Sequence, residues 1–218
     1  MFDFHQKTIA RAGYHRGMIE LILGGARSGK SGLAEARARD AEAAGAQIIY
    51  IATAQAGDAE MSARIAIHQS RRPSRWALIE TPLQLADTLH DLAKPDCFLL
   101  VDCLTLWLTN LLLQGRAASQ VEQGQPVDCA LFTGEREKFL AVLPNLPGQI
   151  VLVSNEVGWG IVPLGAVSRL FADEQGRLNQ AVARLAQQVT LVAAGLALPL
   201  KAAEPFDLKN LVQCTKFN

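Results

Sequence analysis

Eight consecutive residues, Gly24-Gly25-Ala26-Arg27-Ser28-Gly29-Lys30-Ser31, match G-x-x-x-x-G-K-[ST] in full. Glycines at these places let backbone amides turn inward around phosphate oxygens. A helix starting at the end of the motif adds its positive N-terminus. At this spacing Lys30 reaches the β and γ phosphates of a nucleotide and the Ser31 hydroxyl binds Mg²⁺. Such a cradle calls for an acid to hold the metal. Phe98-Leu99-Leu100-Val101-Asp102 is an apolar run ending in aspartate and supplies one. Asp102 also suits the N-cap of the helix that follows, and the two roles are compatible.

A second group combines charge with a nucleophile. Arg64, His68, Arg71, Arg72 and Arg75 lie within about three helical turns of one another. Arg64 and His68 are four apart and share a helix face, and Pro73 ends the segment. Arginine forks suit phosphate oxygens. An imidazole beside them can attack phosphorus and form a covalent intermediate. The plain alternative is a solvated face with a bystander histidine. His90 has no basic neighbours, and His5 and His15 lie in the N-terminal segment.

These residues need elements to hold them. Apolar strand patterns are expected at 18–23, 47–52, 76–80, 97–102, 149–155 and 189–194. Helices are expected at 31–44, 59–69, 82–92, 104–114, 130–143, 166–171 and 177–188. In the first helix Leu33, Ala34, Ala38, Ala41 and Ala44 share one side, with Glu35, Arg39 and Glu42 opposite; Arg37 breaks the pattern by falling among the alanines. The polar stretch 115–126 reads as an exposed loop. Strands alternating with helices predict an α/β domain around a mostly parallel sheet.

Composition bounds the function. The 218 residues carry 21 Lys+Arg and 21 Asp+Glu, a net charge of zero, which argues against a nucleic-acid binder. Half of the residues are hydrophobic and 19% are charged, lean enough to suggest a surface covered by a partner subunit. The four cysteines form no C-x-x-C pair, so buried free thiols are expected rather than zinc or disulfides. Residues 1–17 lack a signal-peptide pattern and read as a disordered extension, with Met18 a second candidate start. The apolar stretch 191–200 is too short to span a bilayer. A cytoplasmic protein follows, with its domain at 18–200 and a tail at 201–218.

The combination resembles the bifunctional adenosylcobinamide kinase/adenosylcobinamide-phosphate guanylyltransferase family of cobalamin biosynthesis. The matching pieces are the 24–31 loop, Tyr50-Ile51-Ala52-Thr53-Ala54, the segment from Glu60 through His68 to Pro73, and Trp76 with Glu80. Asp102-Cys103-Leu104-Thr105 with Thr109-Asn110, the run Asn155 to Pro163, and Gly176-Arg177-Leu178-Asn179-Gln180 complete the set. The resemblance implies a P-loop NTPase of the RecA-like type and two reactions. A nucleoside triphosphate, ATP or GTP, phosphorylates adenosylcobinamide. GTP then guanylylates a histidine, and the GMP passes to adenosylcobinamide phosphate to give adenosylcobinamide-GDP. His68 takes the nucleophile's place. Where the family often shows two adjacent histidines, this chain has Ile67-His68, leaving a single local nucleophile.

The resemblance also places Ala52, Thr53, Ala54, Gln69, Ser70, Arg71, Arg72, Glu80 and Asp102 around the nucleotide, with Gly24 to Ser31 as the cradle. Lys30 and Asp102 join His68 as catalytic groups, and Ser31 and Asp102 hold Mg²⁺. It further implies a homotrimer. For attack His68 must be neutral at one ring nitrogen, a state that neighbouring arginines favour. Gly158 and Gly160 stand for a tight turn, for a loop closing over the corrinoid or for a subunit contact; Arg177 and Asn179 suit a structural role equally well. A monofunctional P-loop small-molecule kinase and a non-catalytic nucleotide-binding switch are the competing readings.

Overall fold

Parallel strands buried on both faces need near-continuous apolar runs, and such runs build the centre of this fold. The computed structural model describes residues 17–55 and 73–202. Seven strands lie in one sheet: β1 (Met18–Gly24), β2 (Gln47–Ala52), β3 (Ala77–Glu80), β4 (Cys97–Asp102), β5 (Gln149–Asn155), β6 (Gln188–Ala193) and β7 (Leu196–Lys201). Their order is β3-β2-β4-β5-β1-β6-β7, parallel throughout except for β7. The sheet agrees with the expected α/β class.

Helix α1 (Lys30–Ala43) covers one face, its Ala34, Ala38 and Ala41 against Ile22, Phe98, Leu100 and Val153. The other face carries α2 (Leu85–Leu92), α3 (Leu104–Gln114), α5 (Ala130–Val142) and α6 (Ala166–Leu185), with the short α4 (Ala117–Glu122) between α3 and α5. Trp107 of α3 and Phe139 of α5 meet there with ring centroids 5.0 Å apart.

The Arg37 anomaly has a partner inside the sheet. Glu20, in the middle of β1, is 1% exposed, and its carboxylate faces the Arg37 guanidinium at 3.4 Å. The Thr190 hydroxyl donates to the same carboxylate at 3.1 Å. Glu35 departs from its expected outward position: it is buried and accepts from Arg39 at 3.4 Å. Ala44, expected on the apolar side, is the exposed C-cap.

Three further expectations change. The segment 115–126 contains a helix, because Ala117, Ala118 and Gln120 are buried. The Gln120 amide clamps the Asp128 backbone, donating to its carbonyl at 3.0 Å and accepting from its N–H at 3.1 Å. The two short helices expected at 166–171 and 177–188 are one helix of 20 residues. Gly176 costs a helix about 1 kcal/mol relative to alanine, and the buried face of Gln175, Leu178, Asn179 and Val182 outweighs it. Strand β7 was not expected: Ala194 (φ 52°) and Gly195 (φ 78°) form a turn with both central residues left-handed, the geometry that closes a two-residue hairpin. Helix α2 starts at Leu85 rather than 82. The helix expected at 59–69, the N-terminal extension up to residue 16 and the tail from 203 to 218 lie outside the described residues.

Candidate functional site

Parallel strands all point their C-terminal ends one way, so the residues leaving β1, β2, β4 and β5 gather along one edge. The 24–31 loop leaves β1 there and runs into α1. Gly24 is required: a Cβ would stand 2.4 Å from Ser28 Oγ and 2.5 Å from the Val192 carbonyl. Gly29 takes φ 101° at the N-cap of α1, a conformation that favours glycine. Arg27 adopts φ 57°. The hairpin turn supports the loop from beside, as the Gly195 N–H donates to the Ser28 carbonyl at 2.9 Å.

Lys30 folds back over this loop and donates to the Gly25 carbonyl at 2.9 Å. Its side chain is largely buried, and desolvation draws its pKa below the ordinary lysine value, opposed by the Asp102 carboxylate. Asp102 is therefore an electrostatic neighbour of the cradle lysine. Ser31 opens α1 immediately after Lys30. One serine hydroxyl and one carboxylate at a phosphate cradle are oxygen donors that suit Mg²⁺, whose remaining positions go to phosphate and water. Among the described residues no cluster of three or more His, Cys, Asp or Glu offers an all-protein metal site. Cys103 beside them is fully buried, and desolvation pushes its thiol up to about 11, so it stays neutral.

Asp102 points to the α1 side of the sheet, where the Tyr50 hydroxyl donates to its Oδ2 at 2.7 Å. Register pairs Ala52 with Asp102 on one side and with Glu80 on the other, so the three form a row across β3, β2 and β4. Glu80 is exposed at the end of that row. Thr53 is wholly buried: its hydroxyl donates to the Cys103 carbonyl at 2.7 Å and accepts from the Cys103 N–H at 2.9 Å. Asn110 of α3 donates to the Thr53 carbonyl at 2.8 Å and to the Pro82 carbonyl at 3.1 Å. Thr53 thus braces the ends of β2 and β4, and Ala54 follows it at the rim.

The exit of β5 is held as firmly. The Asn155 N–H donates to Thr105 Oγ1 at 2.7 Å, and Asn179 Nδ2 donates to the Asn155 carbonyl at 3.0 Å. Ser154 and Gln175 both donate to Asn179 Oδ1, at 2.7 and 3.0 Å. The Glu156 N–H then reaches the Gly24 carbonyl at 3.2 Å, joining this exit to the cradle. Tyr50, Ser154 and Gln175 were not singled out from the sequence as site residues; their types are ordinary, and only pairing across strands and helices reveals them.

Arg75 departs from the basic cluster. Its guanidinium holds both Glu42 carboxylate oxygens, Nη2 at 2.6 Å from Oε2. That bond keeps the Glu42 carboxyl below its usual range. Glu42 is twelve residues along α1 from Lys30, about 18 Å by helical rise, so Arg75 does not serve the cradle. Arg64, His68, Gln69, Ser70, Arg71 and Arg72 lie outside the described residues.

A phosphate cradle on β1, with one strand, β5, standing between it and the acid-bearing β4, defines a P-loop NTPase of the RecA-like arrangement. A model of the family described as cobinamide kinase / cobinamide phosphate guanyltransferase matches residues 20–200. A Pseudomonas aeruginosa protein named bifunctional adenosylcobalamin biosynthesis protein CobP is 54% identical over 184 residues, 84% of this chain and 98% of that protein. Proteins named bifunctional adenosylcobalamin biosynthesis protein CobU are 42% identical in Salmonella typhimurium, over 188 residues, and 38% identical in Escherichia coli, over 186 residues. Each of those alignments covers 84% of this chain and 100% of the relative. The chain belongs to the cobinamide kinase / cobinamide phosphate guanyltransferase family. Among the described residues no helix is long and apolar enough to cross a membrane.

Proposed function

We propose that this chain performs both reactions of its family at the β1–β4 edge, using His68 as a covalent carrier of GMP. The observation that carries the reading is the placement of the buried Lys30, in the cradle that leaves β1, and of Asp102, at the end of β4, on strands separated by β5 alone. In the kinase step the hydroxyl of adenosylcobinamide attacks the γ-phosphorus of ATP or GTP, the bond to the β-phosphate oxygen breaks with the nucleoside diphosphate as leaving group, and the hydroxyl proton passes to solvent. Such transfer is mostly positioning and charge neutralisation. Lys30 leaves the Gly25 carbonyl to neutralise the β and γ oxygens, while the amides of 25–31 hold the chain of phosphates. Mg²⁺, held by Ser31 and Asp102, supplies further charge neutralisation when bound.

In the second reaction a neutral imidazole nitrogen of His68 attacks the α-phosphorus of GTP and pyrophosphate leaves. A phosphate oxygen of adenosylcobinamide phosphate then displaces His68 and completes adenosylcobinamide-GDP. The covalent histidine splits one exchange into two displacements. Gln69, Ser70, Arg71 and Arg72 flank His68 in sequence and would bind the triphosphate; Ala52, Ala54 and Glu80 would border the nucleoside, braced by Thr53. Buried free thiols at Cys97, Cys103 and Cys129 support a reducing, cytoplasmic setting. A homotrimer is supported by the low charged fraction and by the exposed row Leu196, Leu198 and Leu200 on the edge strand β7.

The deciding experiment incubates the protein with α-labelled GTP, adenosylcobinamide and Mg²⁺. Acid-labile label on the protein, lost in His68→Ala and His68→Asn, is expected alongside both corrinoid products. Label that persists in those variants removes His68 from the mechanism. Phosphorylated corrinoid with no protein label leaves a monofunctional kinase.

A further inference from the structure

The loop joining β5 to α6 presents its apolar side chains to solvent. Trp159 is 75% exposed, Val162 72%, and Ile161 and Leu164 each 97%. No charged residue occurs from Val157 to Ser168. Burying side chains of this kind is favourable, and none of the four is buried within the described fold.

The loop is nonetheless given a shape. At its start Glu156 is tied to Gly24 of the cradle, and its Oε1 accepts from the Gly158 N–H at 3.2 Å. At its end the Arg169 guanidinium donates to the Pro163 carbonyl at 3.0 Å and to the Leu164 carbonyl. The strand that feeds it, β5, stands between the cradle strand and the Asp102 strand. The loop therefore leaves the sheet beside the cradle.

We propose that this loop is the seat of the corrin ring, with Trp159, Ile161, Val162 and Leu164 against a face of the macrocycle; the inference rests on the function proposed above. Three properties argue for that occupant. The surface is apolar and uncharged over twelve residues, as suits a broad ring fringed by neutral amides and not a triphosphate. It is continuous with the cradle through the Glu156–Gly24 bond. It is held at both ends, so a rigid ring meets a preformed surface at a low ordering cost. The hydroxyl to be phosphorylated hangs from the ring on a flexible arm, so a seat beside the cradle lets it reach the phosphate.

The test uses the full chain with Ile161 and Leu164 both changed to Ser, positions whose exposure makes them dispensable for folding. The KM for adenosylcobinamide is expected to rise at least tenfold in the kinase reaction. The KM for the nucleotide and the oligomer size by light scattering are expected to stay as in the unaltered protein. Adenosylcobinamide is also expected to quench the Trp159 fluorescence, read as the signal lost in Trp159→Phe. A cobinamide KM within twofold of the unaltered value overturns the proposal. So does dissociation of the oligomer, which would assign the loop to a second copy, or a matching rise in the nucleotide KM, which would assign it to the base. If the unaltered protein phosphorylates no cobinamide, the functional reading itself fails and takes this inference with it.

Discussion

The Tyr50 hydroxyl donates a 2.7 Å hydrogen bond to Oδ2 of Asp102. Tyr50 lies on β2 and Asp102 at the end of β4, so the bond reaches across adjacent strands on the face covered by α1. It orients the carboxylate at the exit of β4. The bond holds one carboxylate oxygen in a set direction.

Tyr50→Phe removes that bond and leaves the ring in place. Hydrogen-bond donors that orient a metal-ligating carboxylate typically account for about 10–100-fold in metal affinity or activity. The Mg²⁺ concentration giving half-maximal kinase activity is expected to rise about tenfold, measured by metal titration at saturating nucleotide. An unchanged titration would limit Tyr50 to packing.

Lys30 sets a pH dependence. Burial lowers its pKa below 10.5, and only the protonated form neutralises phosphate. The kcat/KM for nucleotide should therefore fall on an alkaline limb lying below pH 10.5. Stability moves the other way. Between the folded and unfolded pKa values the unfolded chain holds more protons at this site, so raising the pH through that window favours the fold. Rate profiles and urea unfolding over pH 8–11 separate the two. Lys30→Ala removes a preorganised cation and is expected to lower kcat about 10²–10³-fold.

Asn179 accepts from the buried Ser154 and Gln175 and donates to the partly buried Asn155 carbonyl. Asn179→Ala leaves buried groups unpaired at about 1–3 kcal/mol each. A total loss of about 3 kcal/mol is expected in urea unfolding. Asn179→Asp keeps the size but cannot donate to the carbonyl, and should be nearly as destabilising.

Arg37→Ala leaves the Glu20 carboxylate buried with Thr190 as its described donor. Arg37 is half exposed, so the cost falls below that of a fully buried pair, at about 1–3 kcal/mol. Replacing the pair together, Glu20→Val with Arg37→Leu, should recover most of the loss. Chemical denaturation of the three proteins checks both statements.

The cradle was legible in the sequence because its chemistry is local: glycines, lysine and serine at fixed spacing between a strand and a helix. Asp102 was legible for the same reason, as the last residue of an apolar run. What escaped depends on partners distant in the chain. Helix α4 exists because Gln120 finds the Asp128 backbone, and β7 because β6 offers it an edge where Pro199 is tolerated. Helix α6 passes through Gly176 because its buried face is worth more than the glycine costs. Arg75 read as part of a phosphate site until Glu42 claimed it. Arg37 read as an error in a periodic face because its partner is a strand residue 17 positions earlier.

Helix α1 meets the sheet through Ala34, Ala38 and Ala41, a nearly smooth surface with little to resist sliding or rotation. Its N-terminal amides are the ones that must aim at phosphate, and a turn of a few tens of degrees would misdirect them. The Glu20–Arg37 pair sits one and a half to two turns beyond the cradle and acts as an indexing pin. The strand supplies one half and the helix the other, and only one rotational setting brings them together. Alanines that let the helix approach closely are thereby compatible with a fixed aim, and the accuracy of the cradle is set partly by an ion pair that touches no nucleotide.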